Sequence, residues 1–282
     1  MVKLIECPRD AMQGLKEFIP TDVKAAYINL LLQAGFDTID FGSFVSPKAI
    51  PQMRDTPEVL KQLDLSTTKT RLLAIVANRR GAEDAASFAE ITYLGYPFSV
   101  SETFQLRNTN ATIEESLERV AEIQHICART NKQLVLYISM GFGNPYGDPW
   151  NVDIVRQWVE RLMEMDIHIF QLSDTIGVAS PESIRYLFSH LIPAYPQAEF
   201  GAHFHTLPHK WREKIVAAYH SGCRRFDGAI KGFGGCPMAK DDLTGNMPTE
   251  HLVDFFADNQ ELTNINPIVF QKAMEMAMQV FP

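Results

Sequence analysis

A chain of 282 residues, 46% hydrophobic and 21% charged, carries enough apolar material for a large buried core, which excludes the disordered and fibrous classes. Its formal net charge of −8 and pI near 5.5 exclude a general nucleic-acid binder, which would present a basic stripe. The first ten residues reach charged side chains at once, and no apolar run nears the roughly 18 residues of a membrane span, so a cytoplasmic protein with no membrane partner is expected. Cys7, Cys127, Cys223 and Cys236 are far apart and form no C-x-x-C pair, which argues for a reducing compartment and against a disulfide framework or zinc knuckle.

In chain order, residues 4–7 read as a short strand and Pro8-Arg9-Asp10 as the start of a polar loop, with Thr21 capping a helix over 22–34. Gly35 ends that helix, and residues 36–41 are rich in β-formers. A helix around 57–63 precedes residues 71–76, whose apolar run predicts a strand buried on both faces, as in parallel sheets. A helix near 80–88 and a strand over 90–94 follow. A capping box at Thr112 opens a helix to about Arg129, which leads to a strand over 133–139. After Trp150 a helix to Met165 feeds a strand over 167–174, and Ser180 caps a helix over 181–191 with Pro181 at its first position. The stretch Gly201-Ala202-His203-Phe204-His205-Thr206 is the next strand. A helix over about 209–221 and a strand over 224–230 come after it, then helices near 250–257 and 267–280.

About eight strands alternating with helices, without a linker-like break, predict an α/β chain folded as a (β/α)8 TIM barrel. It would be one catalytic domain over 1–282, with additional C-terminal helices from about 249 to 282 packed on the barrel. An open doubly wound sheet is the alternative. Phe255, Phe256, Phe270, Met274 and Met278 recur at helical spacing and read as packing or an oligomer contact.

Alternation along a strand puts His203 and His205 on one side with Phe204 on the other, so two imidazoles converge as a divalent metal requires. Reactive groups of such barrels gather where strands end. Arg9 and Asp10 follow the first strand, Asp40 ends the second, and Asp174 ends the sixth. The histidine pair ends the seventh, while Gly232-Phe233-Gly234-Gly235-Cys236-Pro237 and Asn246 lie in the loop after the eighth. Taken singly, an aspartate at a strand end also serves as a helix cap, and G-F-G-G-C-P reads equally as a tight turn with an inert thiol or as a mobile proton donor. Taken together, two imidazoles, a carboxylate and an amide oxygen leave open positions on Mg²⁺, Mn²⁺ or Zn²⁺. Cys7, Cys127 and Cys223 have no such setting and read as packing residues.

The run from Leu4 to Gln13 resembles the first-strand signature of the metal-dependent Claisen-type lyases and synthases built on TIM barrels. Ser43-Phe44-Val45-Ser46-Pro47-Lys48, Gln52-Met53, Ser173-Asp174-Thr175-Ile176-Gly177-Val178, and G-F-G-G-C-P followed by Thr244-Gly245-Asn246 narrow this to a resemblance to the 3-hydroxy-3-methylglutaryl-CoA lyase family. The resemblance implies retro-Claisen cleavage of that thioester to acetoacetate and acetyl-CoA. It implies Asp10, His203, His205 and Asn246 as ligands of a divalent cation, Mg²⁺ or Mn²⁺ before Zn²⁺, and Arg9 as stabiliser of the enolate. Cys236 would be the proton donor on a lid loop, with Gln13, Asp174 and Glu250 supporting the site, and Arg9, Asp10, Asp40, Asp174, His203 and Cys236 are the candidate catalytic residues. An acyl-CoA substrate and a homodimer are implied as well.

Three stretches depart from the family pattern. Asp40 stands where a glutamate is usual, which predicts a shifted contact. Thr206-Leu207-Pro208-His209 replaces Asp-Thr-Tyr-Gly, and residues 102–108 also differ. These leave open a larger 3-hydroxy-3-alkylglutaryl-CoA or a related synthase or aldolase. A metal-dependent hydrolase and a non-catalytic acyl-CoA-binding barrel fit less well, because an R-D pair follows the first strand and the donor set is complete. Lys48, Arg79, Arg80 and Arg107 are basic candidates for the CoA phosphates, but each reads better as solvated surface.

Overall fold

A computed structural model of the protein describes residues 1–235, 244–261 and 263–281. Eight parallel strands, β1 (Lys3–Glu6), β2 (Thr38–Ser43), β3 (Arg71–Ile75), β4 (Ile91–Ser99), β5 (Gln133–Ser139), β6 (Ile169–Asp174), β7 (Glu199–Thr206) and β8 (Arg225–Gly228), pair in sequence order. β8 pairs with β1 in register Leu4↔Phe226, which closes the barrel expected from the alternation. A two-residue strand, β9 (Gly245–Asn246), runs antiparallel to β7 with His205 opposite Asn246.

The helices are α1 (Pro8–Gln13), α2 (Thr21–Ala34), α3 (Thr56–Leu60), α4 (Arg79–Ala86), α5 (Glu102–Thr109), α6 (Ile113–Thr130), α7 (Val152–Met163), α8 (Pro181–Ala194), α9 (Trp211–His220), α10 (Thr249–Asp258) and α11 (Pro267–Val280). Local chemistry sets many of their ends. Thr112 and Glu115 form the expected capping box of α6, Ser180 caps α8, and Gly35 closes α2 at φ +94°, a left-handed conformation that costs glycine least. Three expectations need correction. Pro8-Arg9-Asp10 is the first turn of α1 rather than a loop, because Pro8 suits a first helical position and Asp10 suits the positive end of the helix. Thr21 is the first residue of α2 instead of its cap, and its hydroxyl donates to Asp55. The helix α5 went unread, since Ser101 caps a segment with little apolar periodicity.

Outward-facing strand residues and the helix faces form the main core. Phe204 meets Phe142 and Phe188 edge-on, at 5.5 and 6.4 Å between ring centres. Burial of such a ring contributes about 2–3 kcal/mol. This anchoring on one face of β7 aims the alternate residues, His203 and His205, into the barrel. At the chain's end, α11 lies against α2, and Phe270 and Phe281 meet Phe36 and Tyr27 edge-on, consistent with a packing role for that helix.

Candidate functional site

The strand ends bring a charged cluster to one mouth of the barrel. Arg9, Asp10, His203, His205 and Asn246 are all buried, and a cleft beside them is lined by Gln13, Tyr137, Ser139, Ser173 and Thr175, with Ile50, Ile75, Ala77, Pro97 and Phe104 as an apolar wall. Donor atoms of Asp10, His203 and His205 lie within 4.8 Å of one another. Asn246 Nδ2 donates to Asp10 Oδ2 at 2.8 Å and to the Phe233 carbonyl at 2.9 Å. Residues 236 positions apart thus touch. Both imidazoles have partners on the far side of the ring. His205 Nδ1 is 3.2 Å from the Thr244 carbonyl, which can only accept, so that nitrogen carries a proton. His203 Nδ1 lies 2.9 Å from Asp227 Oδ2.

Electrostatics tie the cluster together. Burial alone would push the Asp10 carboxyl up, but Arg9, the two histidines and the Asn246 hydrogen bond bring it down to about 2. At Asp40 burial dominates and holds the carboxyl up at about 6 despite Arg9. Asp40 and Arg9 meet in a fork. Arg9 Nε reaches both Asp40 oxygens at 3.2 and 3.1 Å, and Nη2 reaches Oδ2 at 2.5 Å. The other guanidinium arm, Nη1, donates to Asp10 Oδ1 at 2.9 Å and to Gln13 Oε1 at 3.0 Å, and Gln13 Nε2 donates to Asp10 at 2.7 Å. Five planar donors make arginine suited to such a crossing point.

A cation would suit this donor set. One carboxylate held ionised and two imidazoles oriented from behind match a hard or borderline divalent ion. A second group, Cys7, His203 and Asp227, is equally close, but there His203 and Asp227 are already joined by their hydrogen bond.

Other expected residues sit further out. Asp174 ends β6 and accepts from Lys214 Nζ at 2.5 Å and from the Ala179 amide at 3.1 Å, so it orders the turn after the strand. Glu250 accepts from the Lys231 amide at 2.9 Å and braces the base of the loop that follows β8, because α10 starts beside that base. Cys236 lies outside the described residues. Gly234 shows why the preceding loop is glycine-rich. Its φ is +89°, and a side chain there would press on Ala11 Cα at 2.7 Å and the Asp10 carbonyl at 2.9 Å. Of the basic candidates, Arg79 and Arg80 pair with Glu83 and Asp84 on the surface, Arg107 lies over the Tyr146 ring, and Lys48 is exposed.

Sequence reasoning missed Asp227, Gln171 and Lys214. Asp227 is the next-to-last residue of β8, close to a strand end as Asp174 is in β6, a signal that could have found it. Lys214 is fully buried on α9 and also donates to the Gly177 and His205 carbonyls at 3.0 and 2.9 Å. Nothing local in the helix sequence marks it.

Comparison with known proteins gives a consistent picture. Residues 2–278 match the HMGL-like family model. The cytoplasmic 3-hydroxy-3-methylglutaryl-CoA lyase of Rattus norvegicus is 33% identical over 255 residues, covering 89% of this chain and 73% of that protein. The Bacillus subtilis hydroxymethylglutaryl-CoA lyase YngG is 33% identical over 258 residues, covering 92% and 85%. Among solved structures, an HMG-CoA lyase from Acinetobacter baumannii in complex with coenzyme A and 3-methylmalate superposes with a TM-score of 0.92 at 31% identity, over all of this chain and 91% of that one. The carboxyl transferase domain of Rhizobium etli pyruvate carboxylase shares the fold alone, with a TM-score of 0.75 at 16% identity over 99% of this chain and 48% of that one.

Proposed function

The chain belongs to the HMGL-like family, and from that premise we propose that it is a divalent-metal-dependent carbon–carbon lyase that cleaves 3-hydroxy-3-methylglutaryl-CoA to acetoacetate and acetyl-CoA. The observation that carries this reading is the meeting of Asp10, His203 and His205 at the mouth of a closed barrel, with Arg9 beside them. In this reading Asp10, His203, His205 and Asn246 hold Mg²⁺ or Mn²⁺. When bound, the cation supplies Lewis acidity toward the substrate's oxygen atoms.

The remaining work falls to the side chains. In cleavage the tertiary hydroxyl gives its proton to a base, its oxygen electrons form the ketone carbonyl, and the carbon–carbon pair passes into the thioester as an enolate. Arg9, fixed by Asp40 on one side and Asp10 and Gln13 on the other, points a preorganised positive charge at that enolate oxygen. Such a donor is worth about 3–4 kcal/mol in a site shielded from water. Asp40 holds Arg9 in place, Asp174 fixes the β6 turn, and Glu250 holds the base of the loop that carries Cys236. Cys236 delivers the proton that converts the enolate to acetyl-CoA. The apolar wall of Ile50, Ile75, Ala77, Pro97 and Phe104 receives the 3-methyl group.

We further propose one domain over residues 1–282, a homodimer, and a cytoplasmic location. Among the described residues no helix is long and apolar enough to cross a membrane. The decisive test is incubation of purified protein with the thioester and Mg²⁺ or Mn²⁺ while acetoacetate is followed. No product with either ion, before or after chelation and metal restoration, would defeat the reading. Cys236→Ala is expected to fold and bind metal yet lose most turnover, and near-normal rates would return Cys236 to a structural role. Light scattering of the purified protein checks the dimer.

A further inference from the structure

Beneath the two imidazoles, a line of buried polar groups crosses from β8 to β6. Asp227 divides its carboxylate between two partners. Oδ2 faces His203 Nδ1 at 2.9 Å, and Oδ1 accepts from Gln171 Nε2. The Asp227 side chain is 2% exposed and Gln171 is wholly buried, so no bulk water competes for either contact. The Gln171 amide is turned so that its nitrogen meets Asp227, while its own Oε1 has no hydrogen-bond partner among the described residues. The opposite orientation would set a carbonyl oxygen against a carboxylate oxygen, so the orphaned Oε1 marks Asp227 as an acceptor at Oδ1.

Space for this arrangement comes from β7. Gly201 stands opposite Gln171 in the β6–β7 register, and a side chain at 201 would meet Gln171 Oε1 at 1.7 Å and Arg225 Cγ at 3.0 Å. Arg225, two residues before Asp227 and also fully buried, faces the same interior and supplies the balancing positive charge. On the other side of His203, the Tyr137 ring stands edge-on at 5.3 Å and 87°, which limits rotation of the imidazole.

We propose that Asp227 is the positioning residue for His203: it accepts a hydrogen bond from Nδ1–H, fixes that tautomer and so turns the Nε2 lone pair toward Asp10, with Gln171 holding Asp227 in place. The two histidines then differ in kind. His205 is oriented by a backbone carbonyl, whereas His203 is oriented by a side-chain carboxylate, the stronger acceptor, which makes it the stronger electron donor of the pair. The proposal rests on the reading of this cluster as a cation site, but its first test does not.

That test is a nitrogen-15 spectrum of the histidine side chains in metal-stripped protein. A proton on His203 Nδ1, whatever Nε2 carries, is expected, and a bare Nδ1 would overturn the proposal. In Asp227→Asn the new amide can keep its oxygen toward Gln171 only by donating from nitrogen to His203 Nδ1. That moves the ring proton to Nε2 and blocks it as a ligand. Mn²⁺ affinity, read by electron paramagnetic resonance, is then expected to fall 10- to 100-fold while the His205 signals stay as in the parent. Unchanged affinity would sink the idea. If that variant does not fold, the parent spectrum still decides, and Gln171→Met provides a second arm, with the Nδ1 proton retained and a loss of at most about tenfold. Should the parent protein bind no Mn²⁺ at all, the cation-site reading fails while the spectrum separately judges the tautomer.

Discussion

The barrel interior has two unlike halves. On the β3 to β6 side, Leu73, Ile75, Tyr93, Val135, Tyr137 and Ile169 form a small apolar cluster distinct from the main core. On the β6 to β2 side, Gln171, His203, Arg225, Asp227, Asp40 and Arg9 fill the same kind of position with hydrogen-bonded and charged groups. In the apolar half each residue contributes by area, and neighbours can shift to share a loss. In the polar half each residue answers to a specific partner, so removing one leaves another buried and uncompensated. The oily wall carries stability, and the polar wall carries geometry.

Breaking the polar half is expected to give the largest effect. Arg9→Met removes the proposed enolate partner and leaves Asp10 and Asp40 facing each other, so kcat should fall 10²- to 10³-fold, measured as acetoacetate release. A loss below tenfold would remove Arg9 from the chemistry. In the apolar half, Leu73→Ala should cost about 3 kcal/mol in a denaturant titration while turnover per folded molecule stays within twofold. A large drop in turnover there would erase the division of labour.

A third test uses a polar group behind the barrel wall. Glu6 shares the outer face of β1 with Leu4. Burial raises its carboxyl to about 8 against the Thr249 and Ile230 hydrogen bonds. Because the folded state binds this proton more tightly than the unfolded chain, the contribution is complete below about 4.5 and is lost as pH rises through 8. Glu6→Gln should remove that slope, gaining on the order of 2 kcal/mol relative to the parent between pH 5 and 9. Parallel pH–stability curves would contradict it. The smallest effect belongs to the surface, where Arg161→Ala breaks an exposed pair with Glu114 and should change stability by less than about 0.5 kcal/mol.

These contrasts explain what could be read from the chain. Barrel strands announce themselves through outward apolar positions, and the predicted run 133–139 coincides with β5. The H-x-H pair was legible because strand alternation is strict, and Arg9, Asp10 and Asn246 because their motifs stand in family order. What stayed hidden depends on partners distant in the chain. Lys214 is an ordinary helical lysine until the β6 turn folds over it, and Gln171 has no local signature at all. Glu250 was expected only to support the site, and its partner, the Lys231 amide at the base of the loop after β8, has no local signature. The fork between Arg9 and Asp40 could not be foreseen in detail, since a shorter side chain can lose a contact or draw its partner closer.

The contact between α1 and β9 has a consequence for biosynthesis. Asp10 leaves the ribosome before its partner Asn246, which follows 236 positions later. At about 5–20 residues per second, translation separates the two by roughly 12–50 s. During that interval the nascent polypeptide carries Asp10 without the amide that fixes its carboxylate, so this contact forms only after all eight barrel strands have been made.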